Sequence, residues 1–144
     1  MLWHEFLATA NELKLGETQG EWRSAVSRAY CAVFHFFLEF IESYDFDFGL
    51  PKDADANLLD GLKYSRIKAL ADLAVPVRDL QLIRSVAEYR SGNTIGLASA
   101  RRETQHAQQI IDNFQALLTT IPAQGLADAV KQSLISLGRF RTLS

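Results

Sequence analysis

The chain has 144 residues, 48% hydrophobic and 22% charged, which suits one globular domain large enough to hold a core without disulfides or metal. No run of about 18 uncharged apolar residues occurs, and the N-terminal MLWHEF lacks a basic region leading into an apolar one, so neither a membrane span nor a signal peptide is expected. A single cysteine, Cys31, excludes an internal disulfide, and a reducing cytoplasm is the expected compartment.

The apolar spacing predicts helices throughout. Trp3, Phe6, Leu7, Ala10 and Leu13 recur at helical intervals over about Leu2 to Lys14, and Gly16 stops that segment. The longest pattern runs from about Gly20 to Tyr44. Trp22, Ala25, Val26, Ala29, Tyr30, Val33, Phe34, Phe37, Phe40, Ile41 and Tyr44 keep a three-four spacing and form one core face. Ser24, Arg28, Cys31, His35, Glu39 and Glu42 fall on the opposite side. Acidic residues and Gly49-Leu50-Pro51 predict a mobile loop over 45–55. A third helix is expected over about Ala56 to Ala74, with Leu58, Leu62, Ile67, Leu70 and Leu73 as core and Gly61 as a weak point. After Pro76 a shorter helix reaches about Tyr89 and buries Val77, Leu80, Ile83 and Ala87. Ser91-Gly92-Asn93 predicts a turn. The next helix, about Thr94 to Thr120, carries Ala100, Ala107, Ile110, Ile111, Phe114, Leu117 and Leu118, with Ile121 at its end. Pro122 closes it, and a last amphipathic segment over about 126–140 offers Val130, Leu134 and Leu137. No alternating run between hairpin turns calls for a strand. The expected fold is all-α: an up-down bundle of four to five main helices over 1–121, with a helical extension over 122–144 packed on the same domain.

Charge is unevenly divided. Residues 1–60 carry 4 Lys/Arg and 11 Asp/Glu, for −7, and residues 61–144 carry 11 and 6, for +5. Such asymmetry can steer a polyanion to one face, or it can reflect an ordinary solvated surface.

The stretch Trp22-Arg-Ser-Ala-Val-Ser-Arg-Ala-Tyr-Cys-Ala-Val-Phe-His35 resembles the opening core helix of small prokaryotic HEPN proteins, which often read Ser-Arg-Ala-Tyr-Tyr-Ala-x-Phe-His. Cys31 stands where that group commonly has a second tyrosine. Ile83-Arg84-Ser85-Val86-Ala87-Glu88-Tyr89 is similar to the group's Arg-x-x-Ala-Asp-Tyr segment, with Glu for Asp. The resemblance covers residues 2–121. It implies a helical bundle, often a homodimer, tied to toxin–antitoxin or defence systems, with RNA, a nucleotide or a partner nucleotidyltransferase as ligand. Many members of that family are metal-independent ribonucleases whose signature is Arg, four to six residues, then His on a late helix near the dimer cleft. There the pair activates a ribose 2′-hydroxyl and stabilises phosphate charge. After Arg84 that window holds Tyr89, Arg90 and Ser91, and no histidine. A tyrosine hydroxyl, with a reference pKa of about 10, is a poor base near neutrality.

The candidate nucleotide or RNA site is therefore Arg84, Tyr89, Arg90, Arg101 and Arg102, arginines that bracket one turn and suit phosphate oxygens. The alternative is pairing within the chain, Arg84 with Glu88 and Arg102 with nearby acids. Arg28 and His35, seven residues apart, share a side of the second helix and are substitute catalytic candidates, or else a pair facing solvent or a dimer partner. Cys31 on the same side reads as filler. His4, His35 and His106 are scattered, and no Gly-rich phosphate loop occurs, so no metal and no cofactor is expected. The expected function is a non-catalytic HEPN-type binding domain. The alternatives are a HEPN ribonuclease toxin using Arg28 and His35, and a helical protein-interaction module.

Overall fold

A computed structural model describes residues 2–90 and 92–143. The fold is all-α, with seven helices among the described residues: α1 (Trp3–Leu13), α2 (Gln19–Glu42), α3 (Pro51–Lys63), α4 (Lys68–Ala71), α5 (Ala74–Tyr89), α6 (Leu97–Leu117) and α7 (Ala123–Ser136). Contacts gather the chain into two compact units, one of residues 1–36 and 76–111, the other of 37–75 and 112–144.

In the first unit, α1, α5 and the early parts of α2 and α6 supply the core. Ala25, Val26, Ala29, Tyr30 and Val33 of α2 are buried, as the apolar phase predicts, together with Ala32 and Phe36. Trp22 and Phe34 are half-buried. Val26, Ala87 and Ile95 form one cluster, flanked by Trp22, Ile83 and Val86. The Thr18 hydroxyl accepts from the Glu21 backbone N–H and donates to the Glu21 carboxylate, which stabilises the start of α2. Pro76 does not precede α5 but is its third residue. In the first helical turn its missing N–H has no partner to lose.

The second unit corrects the reading of 45–55. Phe46 and Phe48 are buried, and Phe46 bridges to Thr142 in the tail. Asp47 Oδ1 accepts from the Gly49 N–H at 2.7 Å, and Asn57 Nδ2 donates to the Phe48 carbonyl at 2.7 Å. Gly49 has φ +85, which glycine adopts without strain. Helix α3 begins at Pro51, not Ala56, because proline at N1 gives up an N–H that would be unpaired anyway. The single helix expected over 56–74 is instead α3 and the short α4. Gly61 is a packing device: a Cβ there would meet Val130 Cγ1 at 3.1 Å, so its absence lets α7 lie close against α3. Leu58, Leu62, Leu70, Leu73, Val130 and Leu134 are buried as expected. Ile67 and Ile83 are only half-buried. Leu118 and Leu137 are exposed, because each lies past its helix's last full turn, where the apolar phase no longer points inward.

After α7, Gly138 at φ +71 lets the Arg139 N–H return to the Leu134 carbonyl at 2.8 Å. The tail is then strapped down by Arg139 to Asp60 at 2.5 Å and Arg141 to Asp47 at 2.9 Å. Burial pushes the Asp47 carboxyl pKa up, but the Arg141 hydrogen bond, the Gly49 N–H and the Arg141 charge outweigh it and hold it below its ordinary 3.8. A carboxylate with a depressed folded pKa contributes stability that is fully present above its unfolded pKa and is lost as pH falls through the folded one. Chemical denaturation at stepped pH should therefore show Arg141→Ala less stable than wild type above pH 3.8, with the gap closing below it. A gap that stayed constant down to pH 2 would sink this account of the strap.

Helix α2 is the helix among the described residues whose length and mean hydropathy, 1.2 over 18 residues, would suit a membrane. Half of that stretch is buried within the protein.

Candidate nucleic-acid interface

The two family-like segments meet each other. Arg84 Nε lies 3.2 Å from Glu88 Oε1, one helical turn on, and its guanidinium sits 5.1 Å above the Tyr30 ring. The Ser27 hydroxyl donates to the same Glu88 oxygen. Gln81 Nε2 donates to the Tyr30 hydroxyl at 3.0 Å. Burial raises the Glu88 pKa, but the bonds from Ser27 and Arg84 and the Arg84 charge leave it below its ordinary value. Near neutral pH the carboxylate is thus ionised and offsets the Arg84 charge. At the position where the resemblance would put a catalytic arginine, the guanidinium is held by an acid and a ring.

The turn after α5 is built by a residue the sequence did not single out. Arg23 Nη1 donates to the carbonyls of Val86 at 3.2 Å and Ala87 at 2.9 Å, and Nη2 to those of Arg90 at 3.3 Å and Asn93. Its Nε donates to Gln19 Oε1 at 2.9 Å, and that oxygen also accepts the Ile95 N–H at 2.7 Å. One guanidinium and one carboxamide thereby close the C-terminus of α5 and hold the loop into α6. Tyr89 and Arg90 project outward from this closure, Tyr89 with 77% of its surface exposed.

The five candidate residues do not form one cluster of free charges. Arg84 is paired. Arg102 Nε lies 3.5 Å from Glu103 Oε1, and its Nη2 is 3.4 Å from the Ser99 hydroxyl. Arg101 is different. It lines an open cleft of about 380 Å³ between α1 and α6, with Asn11, Lys14, Thr104, Gln105 and Gln108. The lining holds two cations and no carboxylate. Among the described residues neither Lys14 nor Arg101 has an ion-pair partner. The Thr104 hydroxyl is spent on the Ala100 and Arg101 carbonyls. Lys14 and Asn11 were missed in the sequence because α1 carries no basic pattern.

Arg28 and His35 both rest on Phe6: the imidazole stacks on its ring at 4.6 Å and the guanidinium lies 5.9 Å from its centre. The spacing of Arg, four residues, His does occur, on α6, from Arg101 to His106. At about 100° per residue these two point roughly 140° apart. His106 Nδ1 lies 2.9 Å from Glu103 Oε1, the oxygen that also faces Arg102. Among the described residues no group of three or more His, Cys, Asp or Glu side chains could hold a metal ion.

No family model, curated protein or solved structure matches this chain.

Proposed function

We propose that this chain is a non-catalytic HEPN-type domain that binds single-stranded RNA through the cleft between α1 and α6. The observation that carries the reading is the pairing of two uncompensated cations, Lys14 and Arg101, with a carboxylate-free polar lining. Phosphate oxygens are the natural complement of such a surface. Against catalysis stand the neutralised Arg84 and the absence of a histidine in the window after it. The resemblance supports the family, a homodimeric assembly and a toxin–antitoxin or defence setting.

Wild-type protein should bind a labelled single-stranded RNA weakly and in a salt-sensitive way, and leave it intact in metal-free buffer. Anisotropy titration and gel analysis of the same samples read both. Clean cleavage would favour a ribonuclease with an altered site. Loss of cleavage in His35→Ala would then select Arg28 and His35, and loss in His106→Ala the imidazole beside Glu103. Absence of binding at low salt would favour a protein ligand, such as a partner nucleotidyltransferase.

A further inference from the structure

The cleft carries more than charge. Of its six lining side chains, three are carboxamides: Asn11 from α1, and Gln105 and Gln108 from α6. Asn11 Nδ2 is used on the Leu7 carbonyl at 3.0 Å, which leaves its Oδ1 as an acceptor. Gln105 is exposed and has no side-chain hydrogen bond among the described residues, so its donor and acceptor both remain available. A phosphate needs only donors. A carboxamide offers a donor and an acceptor side by side, which is the complement of a nucleobase edge, and its bidentate match is the adenine N6/N7 pair. A volume of about 380 Å³ admits one nucleotide unit.

We infer that this cleft is a base-reading subsite in which Lys14 and Arg101 hold the phosphate while the Gln105 carboxamide selects adenine in single-stranded RNA. The inference rests on the RNA-binding reading above and adds to it which residues discriminate and for what. Lys14 and Arg101 act on every sequence alike, and Gln105 acts on one base.

The test uses the full chain and labelled uridine octamers carrying one central adenosine, cytidine or guanosine. The adenosine octamer should bind roughly tenfold more tightly than the others, the usual size of a bidentate base contact. Gln105→Ala should remove that preference and leave the salt dependence unchanged. Lys14→Ala and Arg101→Ala should weaken all octamers together and flatten the salt dependence. Equal binding of all octamers by the wild type, or a preference that survives Gln105→Ala, would overturn the inference while leaving RNA binding intact. Binding of no octamer would overturn the RNA reading itself. Adenosine monophosphate should compete only at far higher concentration. Competition at equal concentration would make a free nucleotide the occupant and overturn the strand proposal. The exposed Gln105→Met, which keeps length and loses both polar groups, separates lost recognition from lost folding when its melting curve matches wild type.

Discussion

Phe37→Ala should destabilise the protein by roughly 3–5 kcal/mol in urea denaturation, the usual cost of deleting a buried phenylalanine ring and leaving its cavity. Phe37 is 2% exposed and lies edge-on to Phe114 at 5.2 Å. Phe40 meets the same Phe114 ring at 4.9 Å, so three rings share one packing centre between α2 and α6. Edge-to-face pairs add to the area that each ring buries. A collapse of Phe40 into the vacated space would recover part of the loss, which is why Phe37→Leu should cost less than the alanine variant. A loss below about 1 kcal/mol for Phe37→Ala would mean that the packing centre lies elsewhere.

Arg23→Ala should cost about 1.5–3 kcal/mol, by the scale for hydrogen bonds to a charged group. One guanidinium serves four backbone carbonyls, at Val86, Ala87, Arg90 and Asn93. Two of those bonds are partly buried and two are exposed, so water replaces only part of what is lost. The effect should be local before it is global. Hydrogen exchange should speed up over 86–95 while the α3–α7 packing keeps its protection. Arg23→Lys should rescue little, because an ammonium cannot reproduce the planar fork that spans α5 and the loop. Unchanged exchange over 86–95 in Arg23→Ala would show that the loop is held by Ile95 and its apolar neighbours alone.

The α2 stripe was legible because its period and its burial largely coincide from Ala25 to Ile41, with Phe37 and Ile41 falling where the phase puts them and Trp22, Phe34, Phe40 and Tyr44 only half-buried. The start of α3 was not, because the acidic residues around Phe46 and Phe48 gave the segment a loop's composition while burial came from the distant tail at Phe140 and Thr142. Gly61 read as a defect since only the approach of Val130 gives it a purpose. The site divides in the same way. Arg101 stood out as one of four arginines around a turn, and Arg84 with Glu88 was foreseeable from helical spacing. Ser27 against Glu88 and Arg23 against Val86 join residues 61 and 63 positions apart, which no local pattern encodes. Lys14 and Asn11 enter the cleft only through the packing of α1 beside α6.

The cleft's two cations are the centre of the functional account, and the salt dependence of RNA affinity tests them most directly. The slope of log affinity against log salt counts neutralised phosphates, at about 0.7 per contact for a single strand. Wild type against Lys14→Ala, Arg101→Ala and the double variant, each checked for an unchanged melting curve, should give a slope that shallows stepwise by about 0.7 with each charge removed, while Arg84→Ala, whose charge Glu88 already offsets, leaves it as it was. A slope unaffected at Lys14 and Arg101 but reduced by Arg84→Ala would contradict the account and return the phosphate contact to α5.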